Sequence, residues 1–305
     1  MAILELDNVS KGFGAVKVID NLSFQVPEHS VFGFIGKNGA GKTTTMKMIL
    51  GFLPQDSGTI HVCGEKVSYG NTKTNRNIGY LPDVPEFYGY MNPKEYLKLC
   101  GEVTGLKKEI IQARTKELLE LVGLDGVNRK IHGFSRGMKQ RLGIAQALLN
   151  EPRLLICDEP TSALDPVGRK EILDILSLAK EKTTIVFSTH ILSDVERICD
   201  RIGVLNQGKL ALEGSVSDIK QKYRKDTVRI ELGKNVQAEK TADGLRKLPA
   251  VTDVHTDNQI IEIQLPNAEV SGKEVLAFLL KEAVPIIRYE ITEPTLENVF
   301  LEVVV

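Results

Sequence analysis

The stretch GKNGAGKT at residues 36–43 constrains the fold of this chain more than any other part of its sequence. It follows the apolar run VFGFI and continues into a helical stretch at 43–53. A strand, a glycine-rich loop and a helix in this order are the context of the phosphate-binding loop G-x-x-x-x-G-K-[ST]. The glycines allow backbone N–H groups from about Asn38 to Lys42 to point inward around an anion. The sequence therefore predicts an α/β domain with a phosphate-binding loop.

Individual side chains of this loop have separate expected roles. Lys42 supplies a positive charge to the β and γ phosphates, Thr43 offers a hydroxyl to Mg²⁺, and Thr44 reaches an inner phosphate from the helix start. The alternative is a glycine-rich turn that binds nothing, which the strand–loop–helix context disfavours. The residues predicted to contact the nucleotide in this loop are Gly36, Lys37, Asn38, Gly39, Ala40, Gly41, Lys42, Thr43 and Thr44.

A second stretch, LLICDEP at 154–160, carries two adjacent acids at the end of an apolar strand. In an open parallel sheet, ligands bind at the carboxyl ends of the strands. We expect Asp158 to hold the shell of Mg²⁺ and Glu159 to polarise a water molecule as general base. The alternative is a capped strand end with two solvated acids, which the accompanying phosphate loop makes less favourable.

Composition sets limits on partners and location. Of the 305 residues 42% are hydrophobic and the net charge is −1, so no global field attracts the chain to nucleic acid, and we predict no nucleic-acid partner. Cys63, Cys100, Cys157 and Cys199 have no paired spacing, and we expect reduced thiols, as in a cytosolic protein. We find neither a signal-peptide pattern nor an apolar run long enough to cross a bilayer, so any membrane role is expected to be peripheral.

Periodicity divides the chain into two predicted domains. Residues 1–220 alternate strands and helices around a largely helical block at about 88–150, as in an α/β core with an insert. Near the start, a strand is predicted to end in a turn at KGFG, residues 11–14. The basic stretch KQKYRKD at 220–226 indicates a linker. Residues 221–305 follow the order β-α-β-β-α-β, which predicts a small α+β domain of the ferredoxin-like kind.

Further motifs give the chain its resemblance to a known family. FSRGMKQR at 134–141 resembles the signature motif of ABC-transporter ATPases, and SALD at 162–165 resembles the D-loop of that family. His190 in STHIL stands where the family has its switch histidine. Phe13 stands where the family has an aromatic ring that stacks on adenine; the alternative is a turn aromatic that packs on the sheet edge. The resemblance covers the whole of residues 1–220.

The resemblance implies both a fold and a reaction. The fold is a RecA-like P-loop NTPase core with an inserted helical subdomain, followed by the small α+β domain. The reaction is hydrolysis of ATP with Mg²⁺. Lys42, Glu159 and His190 are the implied catalytic residues, and His190 is the implied sensor of the γ-phosphate.

The resemblance also implies a partner chain. In the family, two ATPase subunits pair head to tail around two ATP molecules, and the signature of one faces the nucleotide of the other. Ser135 and Gly137 would then complete the pocket of the partner, with the partial positive charge of a helix N-terminus near the departing phosphate. The partner would be a second copy of this chain or a homologous ATPase subunit.

The segments FSRGMKQRLGIAQAL at 134–148 and EPTLENVFLEVV at 293–304 most resemble the drug and bacitracin-type exporter group. This implies a separate transmembrane permease, a location on the cytoplasmic face of the cell membrane, and an antibiotic, peptide or lipid as cargo. The C-terminal domain either regulates or stabilises the dimer, or is a passive packing module. The alternative function is a nucleotide-gated regulatory ABC protein with slow hydrolysis and no transport role.

Two motifs depart from the family pattern: the Q-loop at Asp83, and the signature at Arg136 and at Met138, which stands where the family has glutamine. Asp83 in IGYLPDVPEF, a stretch that resembles the Q-loop, stands where glutamine is usual, and we expect its carboxylate to serve Mg²⁺. Arg136 stands where the signature has glycine. It would either add charge to the partner's phosphate or face solvent, and we favour solvent.

Overall fold

The chain divides into two units, of which the first ends at Val216 and the second begins at Ser217. The parallel strands whose carboxyl ends form the candidate site lie in the first unit. A computed structural model of the chain describes residues 2–70, 73–223, 226–234, 236–266, 268–292 and 295–304. The strands of the first unit are β1 (Ala2–Phe13), β2 (Val16–Pro27), β3 (Val31–Ile35), β4 (Ser57–Val62), β5 (Glu65–Lys66), β6 (Ile78–Leu81), β7 (Leu154–Asp158), β8 (Thr184–Thr189), β9 (Arg201–Asn206) and β10 (Lys209–Ser215). Its helices are α1 (Lys42–Ile49), α2 (Pro93–Val103), α3 (Lys108–Leu121), α4 (Arg136–Leu148), α5 (Pro166–Ala179) and α6 (Leu192–Ile198).

The largest sheet has the strand order β10-β9-β3-β8-β7-β6, and all its pairs are parallel except that of β10 with β9. Every residue of β3, β7 and β8 is buried, as expected of central parallel strands that are covered on both faces. The register pairs Ile35 with Thr189 and Asp158 with Ser188. The carboxyl ends of the three strands therefore meet at one edge of the sheet.

A second, antiparallel sheet has the order β2-β1-β4-β5 and packs on the first through aromatic side chains. The ring of Phe24 on β2 stacks on Phe32 and Phe34 of β3, with centroids 5.3 and 5.4 Å away. All three rings are buried in one hydrophobic cluster that spans both sheets. The turn between β1 and β2 lies at Gly14, because β1 continues through Phe13; the predicted turn at residues 11–14 therefore began too early.

Helices α2, α3 and α4 form the predicted helical region between β6 and β7. Asn92 and Glu95 form a reciprocal capping box at the start of α2, and Pro93 occupies the first turn. Ser135 caps α4 by accepting a hydrogen bond from the backbone N–H of Met138 at 3.2 Å. This cap defines where the signature helix begins.

The second unit is a four-stranded antiparallel sheet with helices. Its strands are β11 (Asp226–Leu232), β12 (Asp253–Asp257), β13 (Ile260–Leu265) and β14 (Ile286–Thr292). Their order in the sheet, β12-β13-β11-β14, together with their chain order, is that of the ferredoxin-like fold. The predicted fold class is confirmed for both units.

Lys220 and Lys222, predicted to lie in a linker, are instead on a helix; the rest of that stretch includes residues outside the described ones. The helices are α7 (Val216–Lys222), which begins at the last residue of the first unit, α8 (Ala238–Leu245), α9 (Ala268–Lys281) and α10 (Leu296–Val304).

Among the described residues, every helix is too short or too polar to span a membrane.

Candidate nucleotide-binding and catalytic site

The loop between β3 and α1 folds back on the ammonium group of Lys42. Nζ of Lys42 donates to the carbonyl of Gly36 at 2.7 Å, and the side chain is only 6% exposed. Gly41 has φ +109°, and a Cβ at this position would come within 2.4 Å of Cδ1 of Ile19. Glycine is favoured there because other residues rarely adopt this backbone conformation, and a side chain would also force Ile19 to move. The first N–H groups of α1 lack acceptors within the helix and remain available to an anion.

This loop borders a cleft of about 350 Å³, a size within the usual range for small-molecule sites. The lining brings residues from the loop together with two of the three acids predicted from other parts of the chain, Asp83 and Glu159, while Asp158 is not part of the lining. The complete lining is Val18, Asn38, Gly39, Gly41, Lys42, Thr43, Thr44, Asp83 and Glu159.

Asp158 is buried at the end of β7 and is held by two hydroxyl groups. Oγ1 of Thr43 donates to its Oδ2 at 2.9 Å, and Oγ of Ser188 donates to its Oδ1 at 2.6 Å. Burial, followed by the charge of Asp158, raises the pKa of nearby Tyr80 to about 12, so this phenol stays protonated at neutral pH. Ser188 was not singled out from the sequence, although its place directly after the buried stretch TIVF, as the first residue of STHIL, is a usable signal.

The oxygen donors of Thr43 and Asp158 fit Mg²⁺, which prefers oxygen ligands and keeps several waters and substrate phosphates in its shell. The described residues contain no group of three or more His, Cys, Asp or Glu side chains that could enclose a metal by themselves. A site built from one hydroxyl and one carboxylate therefore suits a metal that arrives with a nucleotide.

Glu159, the residue after Asp158, turns its side chain in another direction. Its φ of +48° lies in the left-handed region, and its backbone N–H donates to the carbonyl of Ser188 at 3.1 Å. The carboxylate then lies between two nitrogen atoms: Oε1 is 3.2 Å from Nζ of Lys42, and Oε2 is 2.9 Å from Nδ1 of His190. Glu159 is thus in direct contact with both of the other predicted catalytic residues, Lys42 and His190.

Phe13 lies at the end of β1, opposite Val16 on β2, with half of its surface exposed. Nζ of Lys11 is 5.6 Å from the centroid of its ring. Phe13 does not itself line the cleft, but Val18, two residues beyond its strand partner, does. An exposed ring at this place is available to stack on a planar ligand.

Ser135 and Gly137, the predicted signature residues, do not line the cleft of their own chain. Ser135 uses its hydroxyl oxygen as the cap of α4, which leaves its proton to donate elsewhere. The nearest atom to a Cβ built on Gly137 would be a methyl carbon of Leu164 at 3.9 Å, so the helix start is open at this point.

Two of the departures from the family pattern contact each other. Nη2 of Arg136 lies 3.2 Å from Oδ1 of Asp83, across 53 positions of sequence. Arg136 is partly exposed, as expected for a solvent-facing residue, but it is ion-paired, an arrangement that the sequence did not predict. Asp83 lines the cleft, while its described contacts are with α4: Nε2 of Gln140 donates to its carbonyl at 2.6 Å.

These features define a P-loop nucleotide-binding protein with an acid, Glu159, on the cleft beside the loop. Comparisons with known proteins agree with this class. A family model described as ABC transporter matches residues 19–162, and one described as ATP-binding protein DrrA1-3-like, C-terminal domain, matches residues 214–304. The chain is 37% identical over 304 residues to YxlF of Bacillus subtilis (strain 168), an uncharacterised ABC transporter ATP-binding protein, with 99% of each chain covered. It is 43% identical over 227 residues to the bacitracin transport ATP-binding protein BcrA of Bacillus licheniformis, with 73% of each covered.

A solved structure of an ATP binding subunit of an ABC transporter is similar with a TM-score of 0.66 and 34% sequence identity, covering 72% of this chain and 93% of that one. The chain belongs to the family of ABC transporter ATP-binding proteins. It is accordingly an ATP-binding ATPase of the kind that is coupled to transport.

Proposed function

We propose that this chain is the ATP-hydrolysing subunit of an exporter. Two ATPase subunits would close around two Mg-ATP molecules and drive a conformational change in a separate transmembrane permease. The observation that carries this proposal is the position of Glu159, oriented by Lys42 and His190 at the edge of the phosphate cleft. The similarity to BcrA, named for bacitracin transport, supports a peptide antibiotic, or a related peptide or lipid, as cargo.

The proposed reaction is attack of water on the γ-phosphorus, with cleavage of its bond to the bridging oxygen and release of ADP and phosphate. Lys42 and the N–H groups of the loop bind the phosphate oxygens, and Glu159 orients the water and accepts its proton. Thr43 and Asp158 would hold Mg²⁺, which when bound offsets negative charge on the β and γ phosphates. Nδ1 of His190 is engaged by Glu159, so its Nε2 is the atom left to contact the γ-phosphate.

Asp83 lies on the same cleft, and we retain it as a contributor to the metal site. Its Oδ1 faces Arg136, so its Oδ2 is the oxygen that it would offer to the metal site. Thr43 and Asp158 differ from Asp83 in that they contact each other, through a hydrogen bond of 2.9 Å.

A second chain would complete the cleft. Ser135 and Gly137 lie at a helix N-terminus outside the cleft of their own chain, and such a terminus favours negative charge. In a head-to-tail pair, each chain would contribute this helix start to the γ-phosphate held by the other. Bound ATP would then hold the pair together, and hydrolysis would release it.

The proposed permease contact lies just beyond Asp83. Val84, Tyr88 and Tyr90 are 61%, 56% and 68% exposed, and the two tyrosine rings lie 5.9 Å apart. An exposed group of large apolar side chains is typical of a protein–protein interface. A cytoplasmic helix of the permease would bind here and hold the chain at the cytoplasmic face of the membrane.

Mixing two inactive variants tests the shared site. Glu159→Gln removes the proposed base, and Gly137→Glu places a negative charge at the open helix start. In a mixed dimer, one site carries both defects and the other carries neither. With random pairing, an equal mixture should regain about a quarter of the parent rate, since half of the dimers hold one intact site of two.

The matched control is a mixture of Glu159→Gln with Lys42→Ala, which leaves no intact site in any pairing and should stay inactive. If the first mixture stays as inactive as its control, while light scattering finds Glu159→Gln monomeric in Mg-ATP, the shared site is disproved. The transport role is tested separately by purification from membranes. A polytopic membrane protein should co-purify with the parent and be lost with Tyr88→Ser/Tyr90→Ser. If none co-purifies, the regulatory alternative is favoured.

A further inference from the structure

Helix α4 packs so closely against β6 and the loop that follows it, as far as Pro85, that the glycines at this contact leave no space for an added methyl group. A Cβ added to Gly79 would lie 2.2 Å from the carbonyl oxygen of Ala147. A Cβ added to Gly143 would lie 2.6 Å from Cδ1 of Leu81 and 3.3 Å from Cβ of Pro85. These contacts are closer than side chains tolerate, so β6 and the loop after it are fixed to one face of α4.

The same face continues toward the helix start with two polar contacts to one residue. Gln140, fully buried, donates to the backbone carbonyl of Asp83 at 2.6 Å, and Arg136, one turn earlier, pairs with its carboxylate at 3.2 Å. Residues four apart on a helix lie on the same face, which explains why both reach Asp83. The position of the Asp83 carboxylate is therefore set by α4 and not by the phosphate loop.

That carboxylate carries an electrostatic cost for any polyphosphate ligand. Asp83 lines the cleft together with Thr43 and Glu159, so its negative charge repels phosphate oxygens bound there. Arg136 brings an opposite charge to the same carboxylate from outside the cleft. The side chains are 42% and 47% exposed, so each effect is modest and depends on salt.

We propose that Arg136 is a positioning residue for the nucleotide site of its own chain, acting through Asp83. It fixes the Asp83 carboxylate at the cleft rim and offsets its charge, so that an acid is tolerated beside the phosphates. Because Arg136 is also the first residue of α4, the pair links the helix start offered to a partner with the cleft of the same chain. The inference rests on the proposed function for the location of the phosphates and goes beyond it in assigning Arg136.

The test is a double-mutant cycle on the full chain, read as binding of a fluorescent ATP analogue in the Glu159→Gln background and as KM and kcat in the parent. Arg136→Ala should weaken ATP binding and raise KM roughly two- to fivefold at low salt, the range expected for an exposed charge pair. The effect should shrink in 0.5 M salt. Arg136→Lys, which keeps the charge, should bind ATP nearly as the parent does.

The deciding variant is Arg136→Ala combined with Asp83→Asn. Measured without added Mg²⁺, so that the proposed metal role of Asp83 does not enter, removal of the unpaired charge should restore ATP affinity to near the parent value, while kcat in Mg²⁺ stays at the level of Asp83→Asn alone. Arg197→Ala is the matched control, because Arg197 pairs with Asp174 at comparable exposure and should leave KM unchanged.

If the double variant binds ATP as weakly as Arg136→Ala, Arg136 does not act through Asp83 and the proposal is wrong. The same holds if Arg136→Ala lowers the melting temperature but leaves ATP affinity and KM unchanged. The binding readout does not depend on hydrolysis, and it is taken at a chain concentration at which light scattering finds only monomers, so these results are distinct from a failure of the proposed shared site.

Discussion

Nδ1 of His190 lies 2.9 Å from Oε2 of Glu159, and the two residues follow neighbouring parallel strands of the central sheet. The other carboxylate oxygen of Glu159 lies 3.2 Å from Nζ of Lys42. Both oxygens are therefore restrained, and the carboxylate has a defined orientation at the cleft. A general base requires such an orientation, since proton transfer depends on geometry before it depends on acidity.

Glu159→Gln should lower kcat at least about 100-fold, because an amide oriented in the same way cannot accept the proton of the attacking water. ATP binding should persist, since the amide has the size of the carboxylate and removes a negative charge from the cleft. Phosphate release and binding of a fluorescent ATP analogue measure the two effects. Glu181→Gln, at an exposed position, is the control and should behave as the parent. Hydrolysis by Glu159→Gln at the parent rate would show that another group is the base.

His190→Ala should lower kcat about tenfold or more with little change in KM, since it removes a partner of the Glu159 carboxylate and a proposed contact made as the γ-phosphate departs. Steady-state kinetics of ATP hydrolysis separate the two constants. His255→Ala, exposed on β12 in the second unit, should leave both unchanged. If KM rises by the factor expected for the loss of kcat while kcat itself is unchanged, His190 only helps to bind ATP.

Gly79→Ala should lower the thermal midpoint of unfolding by about 5–10 °C, which corresponds to roughly 2–3 kcal/mol for a domain of this size. The cause is the carbonyl oxygen of Ala147, 2.2 Å from the new Cβ, which is backbone and cannot rotate away. Gly133→Ala is the control, because a Cβ there has no neighbour within 4 Å and the backbone is not left-handed. Far-UV circular dichroism measures both, and equal midpoints would show that α4 can shift away from β6.

The local parts of the site could be predicted from the sequence because their chemistry is contiguous along the chain. The phosphate loop, the Asp158–Glu159 pair and the cap at Ser135 each combine a short pattern with a flanking element. The contact between Arg136 and Asp83 could not be predicted in this way, since it joins positions 53 apart through the packing of α4 on β6. The hydroxyl of Ser188 on Asp158 likewise depends on which strands are neighbours.

The ends of the strands and helices were less predictable, because they too depend on packing and hydrogen bonds with residues that are distant in the sequence. The turn after β1 was placed too early because KGFG contains two glycines, and only Gly14 adopts a positive φ, +59°. Gly12 stays in the strand, where its N–H donates to the carboxylate of Asp56 at 2.7 Å. Basic residues at 220 and 222 indicated a linker by composition, yet they lie on a short helix whose buried side chain is Ile219.

The four thiols should differ in reactivity according to burial, because the thiolate is the reactive species. All four are free. Burial raises the pKa of every one above the ordinary value of 9.0, and at Cys157 the charge of Asp158 raises it further. At pH 8 a thiol reagent should label the half-buried Cys63 and Cys100 slowly, and Cys157 and Cys199 only in denaturant, as followed by mass spectrometry of peptides.

The raised pKa values of the buried thiols also predict how the free energy of unfolding depends on pH. A thiol whose pKa is higher in the folded chain than in the unfolded chain keeps its proton more tightly when folded, so the full stability is present below pH 9.0 and falls as the pH rises above it. The urea midpoint should therefore decrease above about pH 9, and Cys157→Ala should reduce that decrease. Rapid labelling of Cys157 in the native chain at pH 8 would contradict its burial at the end of β7, and with it the position of Asp158.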